Sequence, residues 1–406
     1  MREMKDSGIE WAGVIPNTWN INKGKYFMEL LTRPTLETDE VITCFRDGEV
    51  TLRSKRREEG FTVSLTEAGY QGIEIGDLVV HGMDGFAGSI GISDSRGKAT
   101  PVLNVLDTEQ NKRYMMYLMR TMAYCELFLS LATGIRVRTC DTNWKKLREI
   151  DYILPTIPEQ KAIADFLDEQ CAEIDTLVTD IQSQIEALEE YKRSVITEAV
   201  TKGIDPDVEM RDSGVQWIGM MPTHWDCQRG KYILRYVQKP VRDDDGVITC
   251  FRDGEVTLRS NRREEGFTMA DKEIGYQGID VGDLVVHGMD GFAGSIGISD
   301  SRGKASPVLN VLDTEQNKRY IMYYLRSMAY NDVFVALATG IRVRSCDLRW
   351  NKLAELLYPM PPIEEQQAIV EHIDSVLERT NAIISEKKQQ IETIEEYKKS
   401  LIFEYV

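Results

Sequence analysis

The stretch VITCFRDGEVTLRS, residues 41–54, occurs a second time without change at residues 247–260. Shifting the sequence by 206 positions aligns residues 4–200 with residues 210–406 without a gap. A period this long excludes short-repeat solenoids, whose units run about 20 to 50 residues. The chain is therefore a duplicated module, and its two copies are expected to fold alike.

The first part of each copy has a mixed pattern. Residues 69–99 are the most similar region, with 31 positions of which two differ from their counterparts. Short β-rich runs, such as Ser89 to Ile92, occur among many glycines and beside a helical run from Lys112 to Ala132. This mixture predicts an α+β globular domain in each copy.

Each copy ends in a stretch of about 43 residues with almost no helix breaker. Apolar or small residues recur there at steps of mostly four and three, which predicts a long helix with a heptad seam. The second stretch keeps this spacing except at Thr380 and Lys387. In the first stretch the seam residues are Leu167, Cys171, Ile174, Val178, Ile181, Ile185, Leu188 and Val195.

Each helix would be roughly 60 Å long at 1.5 Å per residue, which exceeds what one small domain can cover. We therefore expect an antiparallel pair of long helices, a coiled coil, that separates two homologous globular domains about a pseudo-two-fold axis. Two helices packed flat on their own domains are the alternative. The expected parts are a globular domain at 1–155, a helix at 156–203, a second domain at 204–361 and a second helix at 362–406.

The formal net charge of −17 is concentrated in the two predicted helices. Residues 159–200 hold 11 acidic and 3 basic side chains, and residues 364–406 hold 10 and 5. These segments carry −8 and −5, so −4 is left for the rest of the chain. Local basic clusters in that remainder leave room for a phosphate-binding face.

Several classes of protein are excluded by composition. No apolar run approaches the roughly 20 residues that cross a bilayer, and the N-terminus lacks the apolar core of a secretory signal. We therefore expect a cytoplasmic protein without a membrane partner. The 7 cysteines form no CxxC pair and are odd in number. Neither a disulfide framework nor a structural zinc site is expected.

Recognisable catalytic motifs are missing from the sequence. Gly85, Gly88 and Gly91 imitate a dinucleotide fingerprint, but the flanking residues predict strand, turn and strand, and hence a glycine-rich hairpin. His81 and His287 occupy equivalent positions outside any metal-ligand spacing, so we interpret them as structural or DNA-facing histidines. We expect no catalytic residue, no metal and no cofactor bound by this chain.

Basic residues recur in both copies beside flexible or β-rich segments, with Asn261 in place of Lys55. Guanidinium groups suit phosphate oxygens and guanine edges, so these residues are candidate DNA contacts. An ordinary solvated charged face is the alternative. The candidates, with the two histidines, are Arg46, Arg53, Lys55, Arg56, Arg57, His81, Thr133, Arg136 and Arg138 in the first copy, and Arg252, Arg259, Arg262, Arg263, His287, Thr339, Arg342 and Arg344 in the second.

Two pairs of motifs carry a resemblance to a known family. The openings are DSGIEWAGVIPNTW at 6–19 and DSGVQWIGMMPTHW at 212–225. The junctions between domain and helix are LPTIPEQKAIADFLD at 154–168 and MPPIEEQQAIVEHID at 360–374. In combination, and over essentially the whole chain, these motifs resemble the specificity subunits of type I restriction-modification systems.

The resemblance implies two target-recognition domains that each read half of a split DNA site. It further implies helices that seat two methyltransferase subunits, which bind S-adenosylmethionine and methylate adenine, and a restriction and translocase subunit that can join them. The near identity of the two heads favours nearly identical, inverted half-sites. The junction residues implied in subunit binding are Leu154, Pro155, Glu159, Gln160, Met360, Pro361, Glu365 and Gln366.

Two other classes of function stay open at the level of sequence. One is a stand-alone DNA enzyme with an unrecognised active site, which metal-dependent cleavage by the purified chain would favour. The other is a non-restricting scaffold whose heads bind something other than DNA. Loss of DNA binding after changing Arg136 and Arg342 to alanine would speak against the scaffold.

Overall fold

The computed structural model describes residues 3–56, 68–130, 142–262, 274–337 and 348–406. The chain forms two compact units: the first comprises Met1–Ile181 and Gln389–Val406, and the second comprises Gln182–Lys388. Each long helix therefore begins in one unit and ends in the other. In the described ranges, no helix combines the length and apolar character that a bilayer-spanning segment requires.

The first unit is built on a four-stranded antiparallel sheet in the order β4-β11-β8-β9, with four two-stranded ladders around it. Its strands are β1 (Met4–Asp6), β2 (Val14–Pro16), β3 (Asn20–Lys23), β4 (Met28–Leu30), β5 (Ile42–Cys44), β6 (Val50–Leu52), β7 (Gln71–Ile73), β8 (Leu78–His81), β9 (Ile90–Ile92), β10 (Gly97–Ala99), β11 (Leu103–Thr108) and β12 (Asp151–Leu154). Its helices are α1 (Lys112–Tyr124), α2 (Leu127–Ser130), α3 (Trp144–Leu147) and the start of α4 (Ile157–Lys202).

The inner strand β8 is apolar from Leu78 to Val80 because both faces of the sheet are covered. Leu78 and Val80 pack into the cluster that contains α1, whereas Val79 packs with the β5–β6 hairpin. All three side chains are fully buried. Successive strand residues point to opposite faces, so this short run LVVH joins two cores.

Helix α1 connects the sheet to α4. Asn111 caps it by accepting hydrogen bonds from the first amides of the helix at 3.0 and 3.1 Å. Arg113 then pairs with Asp165 and Asp168 of α4, and Tyr117 donates to Asp168 at 2.8 Å. The head of the first unit is thus fastened to the long helix through one face of α1.

The second unit repeats this topology, with the main sheet in the order β16-β23-β20-β21. Its strands are β13 (Met210–Asp212), β14 (Met220–Pro222), β15 (Asp226–Arg229), β16 (Arg235–Val237), β17 (Ile248–Cys250), β18 (Val256–Leu258), β19 (Gln277–Ile279), β20 (Leu284–His287), β21 (Ile296–Ile298), β22 (Gly303–Ala305), β23 (Leu309–Asp313) and β24 (Leu357–Met360). Its helices are α5 (Gly230–Ile233), α6 (Lys318–Tyr330), α7 (Val333–Ala336), α8 (Trp350–Leu353) and the start of α9 (Ile363–Tyr405).

The long helices α4 and α9 run antiparallel inside each unit. In the first unit, the ring centroid of Phe166 lies 4.5 Å from that of Tyr405, and Lys398 Nζ lies 2.6 Å from Asp175 Oδ1. In the second unit, Lys387 Nζ donates to the Gln184 side chain at 2.6 Å. Positions that rise along α4 meet positions that fall along α9. The predicted α+β class with long antiparallel helices is confirmed.

The two residues that interrupt the heptad seam of α9, Thr380 and Lys387, make polar contacts. Thr380 is buried, and its hydroxyl donates to the Val376 carbonyl one turn earlier at 2.8 Å. Lys387 makes the contact with Gln184 described above. A seam residue that is not apolar therefore either satisfies its polar group within the helix or uses it to meet the other helix.

Candidate nucleic-acid interface

The loop between β5 and β6 presents the first candidate arginine. Asp47 Oδ1 accepts a hydrogen bond from the Glu49 amide at 3.0 Å, and the Phe45 amide donates to the Glu49 carbonyl at 2.8 Å. Gly48 has a φ of +86°, which residues with a Cβ rarely adopt. Arg120 of α1 donates to the Gly48 carbonyl at 3.0 Å. The loop is thus anchored to the same helix that is fastened to α4.

Arg46 and Arg56 both reach carboxylates at this loop. Arg46 Nη2 lies 3.0 Å from Asp84 Oδ1 in the turn between β8 and β9. Arg56 Nη1 lies 2.7 Å from Asp47 Oδ2 and 2.9 Å from Glu49 Oε2. We call the surface formed by these five residues the Arg46 face.

The Arg46 face is a mixed-charge surface, because each guanidinium group faces a carboxylate. The Arg46 side chain is 69% exposed, and exposed ion pairs contribute only about 0 to 1 kcal/mol. Arg46 can therefore replace its contact with Asp84 by a contact with a phosphate oxygen or a base edge at little cost in free energy. The same carboxylates repel phosphates that do not meet a cation, so the face favours positioned contacts over general attraction to nucleic acid.

Arg53 and Lys55 lie in the short turn after β6 and have partners of their own. Arg53 Nε donates to Thr43 Oγ1 at 3.0 Å. Lys55 Nζ lies 3.1 Å from Asp94 Oδ2 and 2.9 Å from Ser95 Oγ. Burial disfavours the charged form of Asp94, but hydrogen bonds from Ser95, Lys55 and a threonine outweigh it and hold the pKa of Asp94 below its ordinary value.

His81 supports the turn that carries Asp84. Its Nδ1 accepts hydrogen bonds from the Met83 amide at 3.2 Å and the Asp84 amide at 3.0 Å. Burial lowers the pKa of His81, so the ring is neutral near pH 7 with its proton assigned to Nε2. His81 thereby fixes the carboxylate that pairs with Arg46. Its contact with DNA stays a prediction.

Thr142 joins a further chain segment to this turn. Its hydroxyl donates to the His81 carbonyl at 2.8 Å, and its amide donates to the Gly82 carbonyl at 2.8 Å. Thr142 therefore lies beside the turn that carries Asp84. The candidates outside the described residues, whose DNA contacts stay predictions, are Arg57, Thr133, Arg136, Arg138, Arg263, Thr339, Arg342 and Arg344.

The second copy carries an equivalent surface, the Arg252 face, formed by Arg252, Asp253, Glu255, Arg262 and Asp290. Arg252 lies 3.2 Å from Asp290, and Arg262 lies 2.7 Å from Asp253 and 3.1 Å from Glu255. These contacts match those of the Arg46 face in partner and in distance. The two units therefore present the same mixed-charge surface.

The flanking contacts of the second copy differ at Asn261 and at Leu348, which replaces Thr142 and keeps only its amide contact, to the Gly288 carbonyl at 2.8 Å. Arg259 Nε donates to Thr249 Oγ1 at 3.2 Å, and His287 Nδ1 accepts from two amides at 3.2 and 2.9 Å. Asn261, which replaces Lys55, donates to Thr257 Oγ1 at 2.8 Å. The replacement of Lys55 by Asn261 removes one positive charge from the residues that flank the second surface.

Sequence reasoning missed Asp84 and Arg120. Asp84 holds Arg46 in place, and Arg120 anchors the loop that carries it. Both recur in the other copy, as Asp290 and Arg326. A search for oppositely charged residues that repeat near the basic clusters would have found Asp84, whereas the long-range contact of Arg120 leaves no local pattern.

The first junction residues position α4. Glu159 accepts hydrogen bonds from the Thr156 amide at 3.2 Å and its hydroxyl at 2.9 Å, as in a capping box. Gln160 is fully buried: its side chain donates to Gln110 at 2.7 Å and to the Pro155 carbonyl at 2.9 Å, and it accepts from the Asn111 amide at 2.9 Å. Gln160 thus fixes the start of α4 to the cap of α1.

The second junction keeps the glutamine contacts and changes the glutamate contacts. Gln366 makes the same three kinds of hydrogen bond, at 2.8, 2.9 and 3.0 Å. Pro362 stands where the first junction has Thr156. Because it has neither an amide hydrogen nor a hydroxyl, it donates no hydrogen bond to Glu365. Glu365 instead accepts from Trp225 Nε1 at 3.0 Å and lies 2.8 Å from His224 Nε2.

The burial of the junctions bears on their predicted role. The two glutamines and the residues before them, Leu154, Pro155, Met360 and Pro361, are buried in their own units. Their contacts set the direction of α4 and α9, and direct contact of these residues with partner subunits stays a prediction. Among the described residues, no group of three His, Cys, Asp or Glu side chains is arranged to hold a metal ion.

One comparison concerns family models. Residues 282–393 match the model described as the type I restriction modification DNA specificity domain. Because the copies align with a shift of 206 positions, residues 76–187 are the equivalent part of the first copy. That range covers the turn with Asp84, helix α1 and α4 as far as residue 187.

Two curated relatives agree with this match, and one solved structure shares the fold. The chain is 22% identical over 314 residues to the putative type I restriction enzyme MjaX specificity subunit of Methanocaldococcus jannaschii, which covers 74% of this chain and 69% of the relative. It is 25% identical over 315 residues to the MjaVIII specificity subunit of the same organism, which covers 72% and 70%. A chain from a structure described as the basis of complex assembly and conformational transition of the type I R-M system has a TM-score of 0.67 at 11% identity, covering 96% of this chain and 98% of that one. At that identity the likeness shows the fold alone.

Proposed function

The chain belongs to the family of type I restriction-modification specificity subunits, and from that premise we propose that its two units each bind one half of a bipartite DNA site. It is a non-catalytic subunit. The DNA is double-stranded, and each unit uses the Arg46 face or the Arg252 face together with the residues that flank it.

The observation that carries this proposal is the match between the two faces. Arg46 and Arg252 pair with equivalent aspartates at 3.0 and 3.2 Å, and Arg56 and Arg262 pair with equivalent carboxylates at 2.7 Å. A guanidinium group reads a base edge through bidentate hydrogen bonds, which depend on where the protein places the arginine. Equal positions in two units therefore support equal half-sites.

The antiparallel course of α4 and α9 supports an inverted repeat of these half-sites. Two like readers related by a two-fold axis bind inverted half-sites on DNA, as dimeric repressors do. We infer an interrupted near-palindrome whose gap depends on α4 and α9, since each helix passes without a break from one unit into the other.

The partners in this proposal are two methyltransferase subunits seated on the long helices. They would bind S-adenosylmethionine and methylate adenine in each half-site, so this chain needs no cofactor of its own. A restriction and translocase subunit can join the same complex. The exposed sides of α4 and α9, which carry much of the negative charge, are the surface on which we place the methyltransferases.

Mapping methylated adenines in cells tests the proposal directly. Cells that hold the methyltransferase subunit with this chain should methylate adenine in an interrupted, nearly palindromic sequence, and cells with the methyltransferase alone should not. Cells that hold the methyltransferase subunit with the double variant Arg46→Gln and Arg252→Gln serve as the matched control, because that variant lacks the equivalent arginines of the two faces. Methylation that does not depend on this chain would contradict the proposal.

Lengthening both helices separates the reading of bases from the spacing of half-sites. One heptad inserted after Ile181 in α4 and one inserted before Gln389 in α9 keep the seam in register. We expect a longer gap between unchanged half-sites. An altered half-site would contradict the proposal that the units read the bases while the helices set only the gap.

A further inference from the structure

Two stretches of each copy form and flank its proposed DNA-reading face, and they are almost the same in both copies. Residues 41–60 differ from their counterparts only at Lys55, which is replaced by Asn261. Residues 69–99 differ from theirs at two positions, a glutamate that becomes aspartate and an isoleucine that becomes valine. Within these two stretches, position 55 is therefore the single place at which the copies differ in charge.

Lys55 lies at the edge of the Arg46 face, and its charge is accessible. It directly precedes Arg56 of that face in the turn after β6, and its side chain is 50% exposed. Its Nζ lies between Asp94 Oδ2 at 3.1 Å and Ser95 Oγ at 2.9 Å in the loop after β9. Because ion pairs this exposed are weak, a phosphate oxygen can take the place of Asp94 as the partner of Lys55.

The second unit keeps the carboxylate of this cluster and lacks the lysine. Ser301 Oγ donates to Asp300 Oδ1 at 2.5 Å, as the equivalent serine does in the first unit. Asn261 donates to Thr257 Oγ1 at 2.8 Å, and its neutral amide brings no positive charge to the cluster. Asp300 therefore opposes a phosphate at the position where Lys55 of the first unit attracts one.

We propose that Lys55 contacts a DNA phosphate whose equivalent the second unit leaves without a cation, so that the two units bind nearly identical half-sites with unequal strength. This inference rests on the proposed function. Phosphate contacts contribute affinity and position, whereas contacts to base edges carry the sequence. The first unit therefore binds its half-site more tightly without reading different bases, and it is the main binder of a duplex that carries a single half-site.

Each unit can be measured by itself within the full chain. In the variant Arg252→Gln with Arg262→Gln the second face is impaired, so a duplex with one half-site of the methylated sequence reports binding by the first unit. Arg46→Gln with Arg56→Gln reports binding by the second unit in the same way. Fluorescence anisotropy between about 50 and 200 mM salt should give a slope of log affinity against log salt that is steeper by about 1 for the first unit. The affinity of the first unit should thus fall about three- to fourfold more over this range.

Exchanging the two residues between the units provides the matched variants. Lys55→Asn should lower the slope of the first unit by about 1, and Asn261→Lys should raise that of the second by about 1. Each variant carries the residue that the other copy holds in the same surroundings, so both are expected to fold. Lys55→Arg keeps the charge and should leave the slope of the first unit unchanged.

Failure of this inference can be told apart from failure of the proposed function. Equal slopes for the two units, or a slope that Lys55→Asn does not change, overturn the inference while both units still bind DNA. Weaker binding by Lys55→Asn at an unchanged slope also overturns it, because Lys55 would then only connect the loop after β9 to the turn after β6. If neither unit distinguishes an intact half-site from a scrambled one, the proposed function fails and the inference fails with it.

Discussion

The two units place equivalent arginines at equivalent positions, but they differ in the hydrogen bonding of the tryptophan in the opening segment. Arg46 and Arg252 pair with equivalent aspartates at 3.0 and 3.2 Å. Trp225 donates to Glu365, whereas Trp19 has no acceptor among the described residues. The difference follows from local chemistry at the junctions, since a threonine binds the first glutamate and a proline leaves the second one free. What the units share is therefore the surface proposed to read DNA, and what they do not share is how each opening segment is packed.

Replacing Gln160 by leucine should have the largest effect on stability. The change leaves the Asn111 amide and the Pro155 carbonyl buried without their partner, and we expect a loss of about 3 kcal/mol in the free energy of unfolding. Gln366→Leu should cost the same, because its contacts are equal. Denaturant unfolding measures both, with Gln182→Leu at an exposed position of α4 as control. A loss no greater than that of the control would contradict the shared role.

The loop of the Arg46 face can be broken at Gly48. A Cβ there would lie 1.9 Å from Arg120 Nη2, whereas a Cβ on Gly76, with a nearly equal φ of +87°, meets nothing within 4 Å. Gly76→Ala should cost about 1 kcal/mol through its backbone alone, and Gly48→Ala about 2 kcal/mol.

Gly48→Ala should also weaken DNA binding at one half-site, while Gly76→Ala should not. Binding to duplexes that carry one intact and one scrambled half-site would separate these effects. Equal DNA affinity of the two variants would remove the loop from the proposed reading surface.

The two opening tryptophans should respond differently to phenylalanine. Trp225→Phe leaves the buried side of Glu365 without a donor, and a hydrogen bond to a charged group contributes about 1.5 to 3 kcal/mol. Trp19→Phe removes a donor that has no described partner, so it should destabilise the protein by about 1 kcal/mol less than Trp225→Phe does. Thermal unfolding of both variants measures the difference. Equal losses would show that Trp19 has an acceptor in solution.

Changing single arginines of the matched faces should affect DNA binding more than stability. Arg46→Gln and Arg252→Gln each remove an exposed ion pair, so the free energy of unfolding should change by less than about 1 kcal/mol. If each arginine meets a phosphate, the slope of log affinity against log salt should fall by about 1 in either variant. Unequal changes of this slope in the two variants would contradict the proposal that the two faces bind equal half-sites in the same way.

The smallest expected effect concerns His81 and His287. Burial lowers the pKa of both, so the stability that they contribute is present above the ordinary histidine pKa of about 6.5 and is lost as pH falls from there through the lowered pKa of the folded state. His81→Asn retains an acceptor for the Met83 and Asp84 amides but does not titrate. Its stability should therefore fall less between pH 7 and pH 5 than that of the unchanged protein. An equal fall would exclude His81 as a source of the pH dependence.

Much of the architecture could be predicted from sequence because it rests on periodic patterns. The repeat shift of 206 positions required two like units, and the heptad seam predicted helices that the structure places at Ile157–Lys202 and Ile363–Tyr405. Basic residues were visible in the sequence, but their pairing was not. Arg46 meets Asp84 only through a contact between two separate loops, and no local spacing encodes it.

The roles of the junction residues also exceeded what sequence could give. A glutamine at the start of a long helix gives no sign of whether it faces a partner or its own domain. Burial of Gln160 against the cap of α1 is set by how α1 packs on α4. The surroundings of Trp19 and of Trp225 likewise depend on residues that lie far apart in the chain.

Selection of bound duplexes from a random pool by the chain assembled with its methyltransferase partner tests the central claim most directly. The account predicts one interrupted sequence whose two halves are nearly the same in inverted orientation. Two unrelated half-sites would contradict it, because matched reading surfaces would then be recognising different bases.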